Sequence, residues 1–166
     1  SNGTMTKRLD AVKIVSNSEN RLQFRETLFT SDAMKDCIGG VILFDETINQ
    51  TSSVNKTIPE IILSSGAVPG IKVDTGAKPL ASSSDETVTE GLDGLRQRLT
   101  NYYELGARFT KWRGVYTITK EYPSKLSIHS NAHALARYSA LAQECGMVPI
   151  VEPEILMNGD HSADDC

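Results

Sequence analysis

Cysteine is scarce, and what there is shows no pairing pattern. Cys37, Cys145 and Cys166 are an odd set without any Cys-x-x-Cys spacing. That argues against a disulfide framework and against a structural zinc site. A reducing, cytosolic setting is the expectation. Long apolar runs are missing too. One of the longest, Gly40-Val41-Ile42-Leu43-Phe44, falls far short of the roughly 18–20 residues that span a bilayer, so no membrane partner is expected. No charged-then-apolar stretch at the N-terminus suggests secretion. Positive charge is not in excess: 17 Lys and Arg against 21 Asp and Glu give a net charge of −4, a poor footprint for nucleic acid. The absence of Gly-x-Gly-x-x-Gly weakens a dinucleotide-binding reading. No Pro- or Gly-rich linker divides the 166 residues, so one domain, or a piece of one, is expected. The chain opens on Ser1-Asn2-Gly3 and stops at Asp164-Asp165-Cys166, and a piece truncated at both ends is the reading.

What is present is an alternation. With 39% apolar and 23% charged residues, the composition is that of a soluble globular protein. Strands are predicted at 40–44, 68–73, 108–115 and 147–151. A helix is predicted over 19–29, with Ser16 and Glu19 at capping-box spacing. Thr87 and Glu90 show the same spacing ahead of Leu92, Leu95, Leu99, Tyr102 and Leu105, an apolar stripe with Gly106 as its stop. Ser124, after Pro123, caps a further helix that reaches Cys145 and stops at Gly146. Residues 58–63 form a short apolar run. Strands alternating with helices imply an α/β fold with a parallel sheet. Nearly all-apolar strands imply that both faces are covered. A doubly wound open sheet is the alternative to a barrel.

Three of these strands finish on charged residues two apart: Lys72 and Asp74, Lys111 and Arg113, Glu152 and Glu154. Residues i and i+2 share a face of a strand. The pairs recur at about 40-residue intervals, each interval holding one helix and one strand. They are therefore expected to converge at the C-terminal edge of the sheet, where α/β folds place their sites. The cations suit an anionic substrate, especially a phosphate. Neighbouring ammonium groups can depress one another's pKa, and a carboxylate among them can serve as general acid/base. A glycosidase using Glu46, Glu152 or Glu154 as its carboxylate pair is a competing reading. The lysines count against it, since a neutral sugar has little use for them. His129 and His133 are four apart, but without a His-Glu-x-x-His pattern or a third ligand no metal is expected. Trp112 is predicted to face a helix, away from Lys111 and Arg113. Cys37 and Cys145 are predicted to pack as small hydrophobes. Asn158-Gly159-Asp160-His161 reads as a turn.

At these residues the sequence resembles class I fructose-bisphosphate aldolase. The likeness runs collinearly through Cys37-Ile38-Gly39-Gly40-Val41-Ile42-Leu43-Phe44, Gly70-Ile71-Lys72-Val73-Asp74, Gly91-Leu92-Asp93-Gly94-Leu95, Lys111-Trp112-Arg113 and Ile150-Val151-Glu152-Pro153-Glu154-Ile155-Leu156. The resemblance implies a (β/α)8 TIM barrel in a cytoplasmic, glycolytic homotetramer. That enzyme reversibly cleaves fructose 1,6-bisphosphate to dihydroxyacetone phosphate and glyceraldehyde 3-phosphate through a lysine Schiff base, with no metal or other cofactor. Carried over residue by residue, Glu152 resembles the general acid/base and Lys111 the lysine that assists protonation and carbinolamine steps. Lys72 resembles its neighbouring lysine, and Glu154 the glutamate supporting the charge network. Arg113 matches the arginine beside the substrate phosphate. Ser1, Thr4, Lys7 and Arg8 stand where phosphate and hydroxyl contacts are made, Thr4 replacing a serine.

Three departures accompany the likeness. The family's Leu-Ala-Ala-Asp-Glu strand, with its active-site aspartate, has no counterpart ahead of Ser1. The region around Ser31-Asp32-Ala33-Met34 is one residue short and lacks Asp-Asp-Arg. The Leu-Leu-Lys-Pro-Asn-Met motif that carries the Schiff-base lysine is absent. A complete barrel needs about 250 residues. Residues 1–166 are thus read as an incomplete aldolase-type barrel domain, about strands two to five of eight, inactive alone. A non-enzymatic truncated product or interaction fragment is the alternative.

Overall fold

Residues 1–166 are described by a computed structural model, in which Ser1 caps the first helix. That helix, α1 (Asn2–Ala11), buries Met5 and Leu9 and leaves Lys7 and Arg8 exposed. The next, α2 (Ser18–Phe29), is capped by Asn17, whose side-chain oxygen accepts from the Asn20 N–H at 2.8 Å. Ser16 is not the cap; its hydroxyl pairs with that of Thr6 at 2.8 Å. Two adjacent residues with capping side chains compete here, and the one in extended backbone conformation at the junction takes the role.

A short helix α3 (Ala33–Cys37) leads to strand β1 (Gly40–Leu43), then α4 (Asp45–Ile48), α5 (Ile58–Ser64) and β2 (Val68–Lys72). The apolar run at 58–63 is thus a helix. Thr57 and Glu60 form a reciprocal capping box and Pro59 starts the first turn, so seven residues are enough. Ile58, Ile61 and Ile62 bury, and α5 packs on β2. Strands β1 and β2 are parallel, Val41 opposite Pro69 and Leu43 opposite Ile71. Ser1–Lys72 and Tyr102–Arg108 make up one compact unit; Val73–Asn101 and Phe109–Cys166 make up the other.

The second unit begins with an element the pattern conceals. Thr87–Glu90 is strand β4, paired antiparallel with β3 (Gly76–Pro79). The proposed capping box there is overturned, and α6 (Leu95–Glu104) starts eight residues later than Thr87. A cap signature is only two residues, and Thr-Val-Thr is strand-forming sequence that pairs across Lys78 and Ala77. Gly91, at φ +131°, turns the chain out of β4. A Cβ there would sit 3.0 Å from the Thr75 nitrogen and 3.2 Å from the Asp74 Cα, so only glycine fits. The stop at Gly106 holds, at φ +107°.

Strand β5 (Phe109–Tyr116) is followed by α7 (Lys125–Glu144), capped by Ser124 as expected, and β6 (Val148–Ile155). A single 3-10 turn, Ala163–Asp165, lies near the C-terminus. β5 and β6 are parallel over eight positions, with Lys111 opposite Ile150 and Arg113 opposite Glu152. Thr110, Trp112 and Gly114 of β5 are buried, while Lys111 and Arg113, on the alternate face, are half-buried. α7 packs against β4, β5 and β6. Trp112 is fully buried and stacks on Tyr138 of α7 with ring centroids 5.3 Å apart, which agrees with the helix-facing expectation.

Two expectations fail. The strands are not all covered on both faces: Val148 and Val151 of β6 are 67% and 50% exposed. Cys37 is exposed rather than packed, because it closes α3 and its chain neighbours reach β1 only at Gly40. No helix is long and apolar enough to cross a membrane.

Candidate active site

The parallel pairing of β5 with β6 sets the site geometry. Period-two alternation puts Lys111 and Arg113 on one face of β5, and Glu152 and Glu154 on the matching face of β6. The Lys111 ammonium donates to Glu152 Oε2 at 2.9 Å. Arg113 Nε pairs with Glu154 Oε2 in the same way two residues further on. Both bridges are diagonal, since Arg113 is the residue opposite Glu152. The Lys111 side chain is 17% exposed, against 40% for Arg113. The inner bridge is therefore sheltered and the outer one open to a ligand.

These charges do not lie at strand termini. β5 runs three residues beyond Arg113, to Tyr116, and β6 one beyond Glu154, to Ile155. Glycine and proline at 114 and 153 do not end the strands, because parallel pairing continues through both. Asp74 joins this unit as a buried carboxylate. Its Oδ2 accepts from the Arg113 N–H at 3.4 Å and its Oδ1 from the Gly76 N–H at 3.1 Å. The Val73 N–H donates to the Lys111 carbonyl at 3.1 Å, fixing the segment that carries Asp74 beside β5.

In the first unit, Lys72 is the last residue of β2 and half-buried. Ser1 and Thr4 form a hydroxyl pair at 3.1 Å at the start of α1, and with Lys7 and Arg8 they are exposed. Sequence reasoning considered Glu46 only as a glycosidase carboxylate and missed the cation network around it. Glu46 of α4 accepts from Arg21 Nε at 2.9 Å, Arg25 Nη1 at 2.7 Å and Asn2 Nδ2 at 3.0 Å. The Arg21 hydrogen bond, opposed by burial and reinforced by Arg25, pulls its carboxyl from the ordinary 4.5 to about 2. A glycosidase acid needs a raised pKa. Glu46 is the reverse, and Glu152 and Glu154 are each bound to a cation.

The outer side of β5 and β6 carries a buried polar layer that sequence reasoning also missed. Asn131 of α7, 1% exposed, donates to the Thr87 carbonyl at 2.9 Å and accepts from the Thr89 N–H at 3.0 Å. The Thr89 hydroxyl donates to the Arg113 carbonyl at 2.6 Å. The Tyr138 hydroxyl contacts the Thr110 hydroxyl at 2.8 Å and donates to the Ile150 carbonyl at 3.1 Å. The signal was the buried stripe Ser127, Asn131, Ala134, Leu135, Tyr138, which is helix-periodic only if its polar members are counted with its apolar ones. No group of three or more His, Cys, Asp and Glu side chains is arranged to hold a metal ion.

Comparison with known proteins decides the family. The family model for fructose-bisphosphate aldolase class-I matches residues 1–166. The chain belongs to the class I fructose-bisphosphate aldolase family. It is 52% identical over 166 residues to a probable class 1 aldolase of Xanthomonas campestris, covering all of this chain and 50% of that protein. It is 49% identical to the cytosolic aldolase 6 of Arabidopsis thaliana, covering 100% and 46%, and 48% identical to aldolase B of Rattus norvegicus, covering 99% and 45%. A Plasmodium falciparum aldolase, solved in complex with TRAP and a small-molecule inhibitor, is 42% identical and superposes with a TM-score of 0.95. The match covers 99% of this chain and 48% of that one. The chain thus spans about half the length of the relatives it matches, and its fold is part of the aldolase TIM barrel.

Proposed function

We propose that these residues supply the proton-transfer and phosphate-facing side of a Schiff-base aldolase that reversibly cleaves fructose 1,6-bisphosphate to dihydroxyacetone phosphate and glyceraldehyde 3-phosphate. Residues 1–166 are then one incomplete barrel domain, lacking the Schiff-base lysine. The observation that carries the reading is the Lys111–Glu152 bridge at 2.9 Å, with Arg113–Glu154 beside it on the same face.

Breaking a carbon–carbon bond by retro-aldol cleavage needs a base for the hydroxyl proton of the departing aldehyde, and an acid for the carbanion equivalent left behind. Glu152 serves both, bridged to Lys111 at 2.9 Å and able to take and return one proton. Lys111 holds the positive charge that stabilises the developing negative charge. Lys72 takes the role of the family's second active-site lysine, and Glu154 keeps the Arg113 guanidinium oriented toward a substrate phosphate. Ser1, Thr4, Lys7 and Arg8 take phosphate and hydroxyl contacts. A cytoplasmic setting is part of the same reading, supported by the cytosolic name of the Arabidopsis relative, and so is a homotetramer.

The test is borohydride trapping with dihydroxyacetone phosphate. A protein of the relatives' full length carrying this sequence should yield a trapped adduct on a lysine outside residues 1–166, while the 166-residue chain yields none. Stoichiometric trapping at Lys72 or Lys111 would overturn the reading. EDTA should leave turnover intact; loss of activity restored by Zn²⁺ would favour a metal-dependent aldolase instead.

A further inference from the structure

We infer that Tyr138 is a positioning residue for the Lys111–Glu152 pair, acting from behind the strands; this rests on the function proposed above. Tyr138 lies on α7, wholly buried, and meets the two strands at three points. Its hydroxyl contacts Thr110 Oγ1 at 2.8 Å, one residue before Lys111. The same hydroxyl donates to the Ile150 carbonyl at 3.1 Å, two residues before Glu152. Its ring stacks on Trp112, one residue after Lys111, at 5.3 Å.

Lys111 and Ile150 are direct partners in the β5–β6 ladder. The hydroxyl therefore bridges the two strands at the rung where the catalytic lysine leaves its backbone. Because Tyr138 donates to Ile150, the Thr110 hydroxyl must donate to Tyr138, and the chain of bonds has one direction. Alternate residues point to opposite faces. A bridge to Thr110 and Ile150 on the helix side thus fixes the strand spacing without entering the substrate side. A shift of a few tenths of an ångström between the strands passes directly to the diagonal Lys111–Glu152 contact. A catalytic pair held by its own side chains alone would not need this. The buried hydroxyl is costly unless satisfied, and a phenylalanine would fill the same space without that cost.

The test uses a protein of the relatives' full length carrying this sequence. Tyr138→Phe keeps the ring and its stack and removes both hydrogen bonds. It should lower kcat about 3- to 10-fold with KM within about twofold, since positioning acts in the transition state more than on binding. The pH profile of kcat should shift. Thr110→Val should reproduce the effect and Thr110→Ser should restore it. The double variant Tyr138→Phe with Thr110→Val should be no worse than either single change, the mark of one shared interaction. Ala142→Gly, which loosens α7 at a buried site one turn beyond Tyr138 and removes no hydrogen bond to the strands, should lower the melting temperature and leave the pH profile unchanged. A crystal structure of Tyr138→Phe should show the Lys111–Glu152 distance lengthened from 2.9 Å, a readout independent of activity. An unaltered distance, or a kcat loss that Ala142→Gly matches with no change in pH profile, would overturn the inference. A parent protein without trappable dihydroxyacetone phosphate would overturn the function proposed above instead.

Discussion

Glu152 and Lys111 are joined by one charge-assisted hydrogen bond, so changing either alters a charge and a proton at once. In a full-length aldolase carrying this sequence, Glu152→Gln should lower kcat by about 10²–10⁴-fold, the usual worth of a general acid/base, and affect substrate binding far less. Near-normal turnover in steady-state assays would remove Glu152 from that role. Lys111→Met removes a cation as well as a proton donor, so both kcat and the inhibition constant of a phosphate ligand should worsen. Glu46 gives a prediction about acid stability. Its folded pKa is depressed, from 4.5 to about 2, so the stabilisation is fully present above the unfolded value and is lost as the pH falls from about 4.5 toward 2. The full depression would correspond to about 3–4 kcal/mol, and solvent screening of this partly exposed cluster reduces that to about 2 kcal/mol. Glu46→Gln should lower stability at pH 7 and flatten its dependence between pH 5 and 3, as followed by urea unfolding. Parallel curves for the two proteins would contradict the assignment. The sequence made Lys111, Arg113, Glu152 and Glu154 legible because strand spacing alone puts each pair on one face. Tyr138 was illegible: an aromatic on the buried face of a helix reads as core, and only the structure shows that its hydroxyl reaches two strands.

At the scale of elements, α7 was readable from both ends, because Ser124 and Gly146 are local signals that need no tertiary partner. The β3–β4 hairpin was not. Its strands are four residues each and its pairing depends on residues ten or so apart. The Thr87–Glu90 spacing therefore imitated a helix start. The cap of α7 also bears a second duty. The Ser124 hydroxyl accepts from the Ser127 N–H at 3.1 Å and donates to Glu86 at 2.6 Å, while the Ser124 N–H donates to Glu86 at 2.7 Å. Burial opposes ionisation of Glu86, but these hydrogen bonds and that of Ser83 outweigh it and hold its carboxyl below the usual range. Ser124→Ala should cost about 1–2 kcal/mol through the lost cap. Ser124→Asp, ordinarily as good a cap, should cost more than alanine because it sets a second carboxylate against Glu86. Thermal melts rank the three proteins; an aspartate variant as stable as the parent would show that Glu86 does not depend on this hydroxyl.

For the whole molecule, the partial barrel was legible only through family motifs. Alternating strands and helices are equally compatible with an open sheet, and the superposition on the Plasmodium aldolase, with a TM-score of 0.95 over 99% of this chain, decides between them. The consequence lies on β6. Along one side it pairs with β5, and it is an outermost strand of its sheet. Its apolar residues stand in solvent: Val148 is 67% exposed, Val151 50% and Ile150 38%. An outermost strand offers unpaired backbone donors and acceptors, and apolar side chains beside them make it a template for another chain. Burying a fully exposed side chain of this size gains about 1.5–3 kcal/mol; these three are between a third and two thirds exposed, so covering them gains about 2–5 kcal/mol together, comparable with the lower end of the typical net stability of about 5–15 kcal/mol. The 166-residue chain alone should therefore self-associate at micromolar to millimolar concentrations, seen as a concentration-dependent sedimentation coefficient. Lysines on an edge strand oppose such pairing by burying unpaired charge. Val148→Lys combined with Val151→Lys should move the chain toward monomer without touching Lys111, Arg113, Glu152 or Glu154. If the unsubstituted chain sediments as a monomer across that range, the exposed strand does not drive association. If it associates and the double lysine variant associates equally, the contact lies on another surface.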